Sequence, residues 1–288
     1  APFIVMATGN LSTPRVPNYP GLKDFGGDWY HTGMWPHEGV DFTGKRVGVI
    51  GTGSSGVQSI PIIARQAEHV HVFQRTPQFV LPARNGPQDP EQVREHKATY
   101  RERRKAALET PFGIAGHPPP TKTALEDDES ARREKYDTNW AIGGQIRFLF
   151  SYTDLLLNKE SNDTAADYVR EQIRAIVDDP QTAEKLIPHD HPMGTKRLIL
   201  DTGYFETFNR ESVELVDARA TPIRAITANG LCTTTEEFEL DALVFATGFD
   251  AMTGAMMAID IRTDDGADIP SKWANGPQTY LGIMMSGF

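Results

Sequence analysis

A glycine pattern between an apolar run and a helical run constrains the fold of this chain more than any other feature. Residues 47–50 are apolar, and residues 51–56 carry three glycines in the order GxGxxG. Residues 57–67 follow a helical period, and a second apolar run lies at 70–73. A strand, a glycine turn, a helix and a second strand make a βαβ unit. The sequence therefore predicts an α/β fold of the Rossmann type.

The three glycines have separate tasks in such a unit. Gly51 makes the tight turn, Gly53 lets the backbone approach a pyrophosphate, and Gly56 lets helix and strand pack closely. The pyrophosphate would also meet the free amide groups and the positive end of the helix dipole. A purely structural glycine turn is the alternative. The candidate dinucleotide-binding residues in this unit are Gly51, Thr52, Gly53, Ser54, Ser55, Gly56 and Gln58.

The end of the second strand predicts which dinucleotide binds. A site for NAD usually has Asp or Glu about 20 residues further on, where it accepts hydrogen bonds from the ribose 2′-hydroxyl. This chain has Gln74, Arg75 and Thr76 there. A guanidinium and a hydroxyl suit a 2′-phosphate, which a carboxylate would repel. We therefore expect Arg75 and Thr76 to favour NADPH; the alternative is that Arg75 is a solvated surface arginine.

The rest of the chain predicts a helical region and further strands. Residues 81–192 are rich in Glu, Arg and Lys, with helical periods around 89–109, 126–140 and 163–178 and a proline connector at 118–120. Strand-like runs return at 213–216, 223–226 and 242–246. The apolar runs FIVMATG at 3–9 and ALVFATG at 242–248 end alike. Two such strands are what we expect if the chain crosses twice between a nucleotide-binding domain and a neighbouring domain. Each run taken alone could also be an ordinary strand that ends at a turn glycine.

Charge and composition exclude several classes of partner. The net charge of −10, from 29 basic and 39 acidic residues, argues against binding to nucleic acid. No apolar run reaches the ~18 residues that span a bilayer. The single cysteine, Cys232, cannot form an internal disulfide, a CxxC redox pair or a cysteine-based zinc site. A cytoplasmic location is therefore expected, and the oligomeric state stays open.

The most specific motif lies just upstream of the glycine pattern. Residues 25–36 read FGGDWYHTGMWP, which by itself describes an aromatic linker whose histidine bonds to the backbone. The segment resembles the FxGxxxHxxxWP signature of the Baeyer–Villiger monooxygenases. It fits that signature at each fixed position, through Phe25, Gly27, His31, Trp35 and Pro36. Related N- and S-oxygenating flavin monooxygenases lack the Trp-Pro ending, so Trp35 and Pro36 decide between the two classes.

A second segment supports the same resemblance. Residues 194–209 look like the family's Lys-Arg segment, where the lysine helps to hold the NADPH 2′-phosphate and the arginine faces the flavin. By resemblance Lys196 and Arg197 take these roles; without it, adjacent cations would more often be a solvated surface pair. A permanent guanidinium charge suits the stabilisation of negative charge that develops on a reacting oxygen. The resemblance also places near the flavin dinucleotide the residues Thr8, Gly9, Thr247 and Gly248.

The resemblance implies a flavoprotein that binds two dinucleotides, FAD and NADP. In the family, NADPH reduces FAD, the reduced flavin reacts with O2, and one oxygen atom is inserted into a ketone to give an ester or lactone. Arg197 and His31 are the candidate catalytic residues. His31 lies on the segment that joins the first Ala-Thr-Gly run to the NADP unit, so control of domain motion is favoured over direct chemistry.

The resemblance further predicts how the chain divides into domains. Residues 1–11 and 240–288 are expected to be remnants of an FAD-binding domain, residues 12–80 and 193–239 an NADP-binding Rossmann domain, and residues 81–192 a helical insertion. The family's FAD fingerprint is absent, because the only GxGxxG lies at 51–56. We therefore expect an internal fragment that does not oxygenate ketones alone.

Two alternatives stay open at this stage. One is an N- or S-oxygenating flavin monooxygenase, and the other is an NADPH-binding module without turnover. No metal site is expected. The cluster His189-Asp190-His191 lies between two prolines and is interpreted as a polar turn.

Overall fold

Strands of this chain form three sheets. A computed structural model describes residues 5–110, 113–114, 116 and 119–287. The strands within that part of the chain are β1 (Asp28–His31), β2 (Arg46–Ile50), β3 (His69–Gln74), β4 (Val80–Pro82), β5 (Ile199–Asp201), β6 (Val213–Asp217), β7 (Ile223–Thr227), β8 (Gly230–Thr233), β9 (Glu237–Glu239) and β10 (Ala242–Phe245). Five of them form the central sheet in the order β1-β10-β2-β3-β6, while β4 pairs with β5 and β7, β8 and β9 form a small third sheet.

The central sheet is parallel throughout. β10 is buried at every position, and β2 is buried from Val47 to Ile50. Parallel strands that are covered on both faces read as continuous apolar runs. The strands expected at 47–50, 70–73, 213–216 and 242–246 are confirmed as β2, β3, β6 and β10. The run at 223–226 is confirmed as β7, which is antiparallel to β8 in the small sheet.

The helices lie mainly in the first two thirds of the chain. They are α1 (Ser54–Ile63), α2 (Pro90–Ala98), α3 (Tyr100–Leu108), α4 (Glu129–Ile142), α5 (Gln145–Leu149), α6 (Lys159–Ile176), α7 (Pro180–Leu186), α8 (Tyr204–Thr207), α9 (Gly254–Met257) and α10 (Ile269–Lys272). The described residues contain no helix that is long and apolar enough to cross a membrane. Short 3-10 turns lie at Leu22–Asp24, Thr32–Met34 and Ala124–Glu126.

The predicted helical region is confirmed as α2 to α7. Its interior is an aromatic cluster in which the Tyr136 ring lies 5.5 Å from Phe148 and 5.4 Å from Tyr168. These side chains belong to the same buried core as Val47 and Val57 of the βαβ unit. The helical region and the parallel sheet therefore share one continuous hydrophobic core.

β10 lies within the last segment of the predicted domain division. The sequence analysis assigned residues 240–288 to a remnant of the FAD-binding domain. In the structure, Leu243 and Val244 pair with Gly48 and Val49 at the centre of the parallel sheet. Leu243 and Val244 are completely buried there. β10 is therefore part of the central sheet, between β1 and β2.

Two local predictions differ from the structure or fall outside it. Of the strand expected at 3–6, Phe3 and Ile4 lie outside the described residues, whereas Val5 and Met6 are in no strand and Val5 is 91% exposed. An apolar run becomes a strand when a neighbour accepts its backbone hydrogen bonds, and no described strand lies beside this run. Of the proline connector, Pro118 is outside the described residues, and Pro119 and Pro120 are in neither helix nor strand.

Candidate functional site

The three fingerprint glycines differ in what surrounds them. A Cβ on Gly51, which has φ of 107°, would lie 2.7 Å from the carbonyl oxygen of Ala246, and a Cβ on Gly56 would lie 2.2 Å from that of Gly51. A Cβ on Gly53 would meet no heavy atom within 4 Å, and Gly53 is exposed. Packing within the protein therefore requires Gly51 and Gly56 but not Gly53. An open glycine at this turn fits the close approach of a pyrophosphate.

The turn leads into the N-terminus of α1. Gly53 is the N-cap and has no side chain to accept a hydrogen bond from the first turn. The backbone amides of Ser54 and Ser55 lie in the first turn, where there is no helical acceptor, and no side chain caps them. Ser54 is exposed and Ser55 is partly exposed. Such a helix end attracts anions through its amides and its dipole.

Thr52 fixes the turn to the end of β3. Its side chain is buried, and its Oγ1 donates to the carbonyl oxygen of Thr76 at 3.3 Å. Arg75, between β3 and Thr76, is exposed. Arg219 donates to Thr76 Oγ1 at 3.5 Å, so the side chains of two arginines lie near the end of this strand. The sequence analysis did not include Arg219. It follows β6, which is parallel to β3, and adjacent parallel strands bring their carboxyl ends to one edge.

The charge of Arg219 is partly balanced. Its guanidinium lies 2.6 Å from Asp190 Oδ2, and His191 Nδ1 lies 2.7 Å from Asp190 Oδ1. The hydrogen bond from His191 and then that from Arg219 hold the pKa of Asp190 well below its usual range. His189 pairs instead with Glu184, at 2.6 Å. The residues of the 189–191 cluster therefore form ordinary ion pairs that hold the loop beside Thr76.

The segment that contains Lys196 and Arg197 packs against α1. Gln58 of α1 donates its Nε2 hydrogen bond to the carbonyl oxygen of Leu200 at 2.5 Å, and Ile199 pairs with Val80 in the β4-β5 sheet. Lys196 and Arg197 are exposed, and neither is paired with an acid among the described residues. Exposed cations without an acidic partner are suited to bind an anion.

The same segment holds a carboxyl group with a shifted pKa. Asp201 accepts a hydrogen bond from the backbone amide of Tyr204 at the start of α8. Burial raises the pKa of Asp201 to about 6, against the lowering effect of this bond. The carboxyl therefore acts mainly as a cap that orders the chain after Arg197.

The two segments that end in Ala-Thr-Gly are brought together. Arg15 donates its backbone hydrogen bond to Gly248 at 2.9 Å, and Thr247 Oγ1 donates to the carbonyl oxygen of Arg15 at 2.6 Å. Pro14 and Phe249 form an antiparallel bridge. In the first segment Gly9 is exposed and Thr8 is partly exposed, and Ser12 donates a hydrogen bond to the Thr8 carbonyl oxygen. Residues 8–15 and 247–252 therefore form two antiparallel segments directly after the C-terminal end of β10.

His31 lies against this pair of segments. It ends β1, is 1% exposed, and accepts the backbone hydrogen bond of Gly33 on Nδ1 at 3.0 Å. Its ring lies edge-on to Phe249 at 6.2 Å. Its Nε2 is buried and has no hydrogen-bond partner among the described residues. Burial lowers the pKa of His31, although the carbonyl groups of Gly248 and Arg15 oppose that effect.

The rest of the signature connects His31 to the glycine turn. The ring of Trp35 lies 5.7 Å from Tyr30 and 6.1 Å from Phe42. A cleft of about 480 Å³ lies between this loop and α1. Its lining includes Thr32, Trp35, Phe42, Ser55, Gln58 and Ile62. The signature loop thus forms one wall of a cleft whose other wall is the fingerprint helix.

Comparisons with known proteins agree with this arrangement. Residues 3–93 match the family described as flavin-binding monooxygenase-like. The chain is 44% identical over 292 aligned residues to 2-oxo-Δ3-4,5,5-trimethylcyclopentenylacetyl-CoA monooxygenase of Pseudomonas putida, covering 99% of the chain and 53% of that protein. It is 40% identical to a Baeyer–Villiger monooxygenase of Pseudooceanicola batsensis, covering 100% of the chain and 52% of that protein. The structure of oxidized steroid monooxygenase bound to NADP superposes with a TM-score of 0.88 at 50% identity, covering 99% of this chain and 54% of that one.

The matches define a class of flavin-binding monooxygenase-like proteins, and the solved structures that superpose on this chain include one in complex with FAD and NADP. Within that class, the chain belongs to the Baeyer–Villiger monooxygenase family. The α/β fold with a parallel sheet is confirmed. The chain spans about half the length of the curated relatives it matches.

Proposed function

We propose that this chain is the NADP-binding part of an FAD- and NADPH-dependent Baeyer–Villiger monooxygenase, which inserts one oxygen atom of O2 into a ketone to give an ester or lactone. The observation that carries the proposal is the contact between the signature histidine and the crossovers: His31 packs edge-on against Phe249, beside the Arg15–Gly248 backbone pair. A loop in that position can couple the nucleotide site to a second domain.

The residues around the glycine turn fit NADP. The open Gly53 and the uncapped amides of Ser54 and Ser55 would hold the pyrophosphate. Arg75, Thr76 and Lys196 would hold the 2′-phosphate, because no carboxylate directly follows β3 at this position. Arg219 joins this group through its contact with Thr76, and Asp190 keeps its guanidinium in place.

The crossover residues fit the edge of a flavin site. Thr8, Gly9, Thr247 and Gly248 lie on adjacent antiparallel segments, and no heavy atom lies within 4 Å of a Cβ built on Gly9 or Gly248. Bound FAD would supply the two electrons that activate O2, and O2 would supply the oxygen atom that is transferred. Arg197, exposed and without an acidic partner among the described residues, would stabilise negative charge on the reacting oxygen atoms. Thr247 and Gly248 would present backbone to the dinucleotide.

The experiment is an oxygenation assay on the protein made with the full flanking sequence of its own gene. With NADPH, O2 and a cyclic ketone, we expect an ester or lactone by gas chromatography, with NADPH consumed in step with product. The 288-residue chain serves as the matched control and should bind NADPH without product. NADPH oxidation that yields only hydrogen peroxide with every ketone tested would contradict the proposal.

A second substrate class separates this proposal from its enzymatic alternative. Tertiary amines and thioethers would be offered to the same preparation. We expect ketones to be converted with the higher kcat/KM, since Trp35 and Pro36 complete the ketone-oxygenating signature. Preference for amines would favour the N-oxygenating alternative. The proposed substrates are thus a ketone and O2, and the proposed location is the cytoplasm.

A further inference from the structure

Two histidines and a glutamate meet on the central sheet away from the glycine turn. His69 and His71 alternate along β3, so both side chains lie on one face of the sheet. In register, His71 is the direct partner of Glu214 on β6, the strand at the end of the sheet. The ligand atoms of His69, His71 and Glu214 all lie within 4.8 Å of one another.

This face is separate from the nucleotide site. The His71 ring packs edge-on against Phe238 of β9 at 5.0 Å, and the next residue of the same face, Phe73, also packs on Phe238. Val70 and Val72 point to the other face and belong to the core that includes α1. The cluster is therefore covered by the small β7-β8-β9 sheet and not by the fingerprint helix.

The side chains of His71 and Glu214 are in direct contact across the two strands. His71 Nδ1 is buried and lies 3.0 Å from Glu214 Oε2, but the geometry is not that of a well-aligned hydrogen bond. If a metal ion bound His71 Nδ1 and Glu214 Oε2 at about 2.1 Å each, the nitrogen–metal–oxygen angle would be about 90°, because the two atoms lie 3.0 Å apart. An ion bound there would have both the ring nitrogen and the carboxylate oxygen as ligands.

The neighbouring charges permit a cation. The His69 and His71 rings lie 4.4 Å apart, and Glu214 is half exposed at the edge of the sheet, so it can adjust. The charge of Arg46 opposes a positive charge at His71. The Arg46 guanidinium is paired with Asp241 at 2.9 Å and with Glu239 at 2.6 Å. Two carboxylates thus balance the one positive charge near the site.

We propose that His69, His71 and Glu214 bind a divalent transition-metal ion, for which Zn²⁺ is the probe, and that the ion joins β3 to the edge strand β6. Two imidazoles and a carboxylate are a donor set used by open zinc sites, which keep a fourth position for water. Among the residues that the structure describes, no other set of three His, Cys, Asp or Glu side chains is arranged to hold a metal ion. The inference is independent of the proposed enzyme activity.

The test is a metal titration of the 288-residue chain after chelator treatment and gel filtration. Calorimetry with ZnCl2 should give one equivalent of binding, and Co²⁺ should give visible d–d bands. His69→Gln, His71→Gln and Glu214→Gln should each weaken binding by at least about tenfold. His189→Gln is the matched control, because His189 also pairs with a glutamate but lacks a third ligand.

Thermal unfolding keeps the test valid if a histidine variant folds poorly. Zn²⁺ should raise the Tm of the wild type and of His189→Gln but not of Glu214→Gln, whose side chain is 51% exposed. Saturable binding that Glu214→Gln and His71→Gln retain at wild-type affinity would overturn the proposal. So would the absence of saturable binding below ~1 mM Zn²⁺.

Discussion

The third glycine of the fingerprint lies directly beneath the carbonyl oxygen of the first: a Cβ on Gly56 would approach Gly51 O to 2.2 Å, where no side chain fits. The second glycine, Gly53, has open space instead. One short motif therefore holds two residues required for folding and one that only a ligand would require.

This difference gives a paired prediction. Gly56→Ala should lower the free energy of unfolding by about 1–3 kcal/mol, because the new methyl group must displace backbone. Gly53→Ala should change it by less than about 1 kcal/mol, since φ of −79° suits alanine, yet it should weaken NADPH binding at least about tenfold. Denaturant unfolding and fluorescence titration measure the two effects. NADPH affinity unchanged in Gly53→Ala would contradict the role given to the open glycine.

Arg75 should discriminate between the two nicotinamide cofactors. Arg75→Ala removes a charged hydrogen bond to the 2′-phosphate and should cost NADPH about 1.5–3 kcal/mol of binding free energy, with little effect on NADH. Arg224→Ala, an exposed arginine on β7, is the control and should leave both affinities unchanged. Equal losses for NADPH and NADH in calorimetry would show that Arg75 does not contact the 2′-phosphate.

Arg197 should act after the flavin is reduced. In the protein completed with its flanking sequence, Arg197→Ala should still allow NADPH to reduce FAD but should lower ester formation about 10²–10³-fold, the scale of losing one charge-stabilising donor. Stopped-flow absorbance separates the two steps, and exposed Arg210 provides the control substitution. Normal ketone oxygenation by Arg197→Ala would identify the residue as ordinary surface charge.

His31 should affect coupling between the domains and not proton transfer. In the completed protein, His31→Ala should lower NADPH-driven oxygenation about 10- to 100-fold without loss of bound FAD, because it removes the ring that packs on Phe249. His31→Asn keeps an acceptor for the Gly33 amide and tests that contact alone. Burial lowers the pKa of His31, so a limb of the pH–rate profile below pH ~6.5 that disappears only in the variants would show that His31 transfers protons.

Asp201 should produce a stability change with pH. Its pKa is raised to about 6 in the folded state, so the folded chain binds more protons than the unfolded chain between about pH 4 and 6. Its contribution to stability therefore falls as pH rises through this range and is constant above it. The unfolding free energy of Asp201→Asn minus that of the wild type should therefore be larger at pH 7.5 than at pH 4, by on the order of 1–3 kcal/mol. Parallel curves of unfolding free energy against pH for the two proteins would contradict the burial of this carboxyl.

Local patterns predicted the elements whose residues interact with sequence neighbours. β2, α1 and β3 follow from apolar runs and glycine spacing, because a buried parallel strand and a glycine turn impose strong local constraints. Short strands such as β1 and β5 were not predicted. Trp29 of β1 is exposed and β5 has three residues, so neither has an apolar run long enough to predict a strand.

Tertiary structure decided which distant residues meet. The ends of adjacent parallel strands bring Arg219 to Thr76, although 143 positions separate them. In the same way, β10 lies between β1 and β2, and its exit places Gly248 beside Arg15 and over His31. The pairing of His71 with Glu214 depends on the same strand order. Local sequence thus determined the glycine turn, because its geometry depends on backbone freedom within six residues, 51–56. The charges and the histidine around it were positioned by strand order and register, which depend on the packing of the whole sheet.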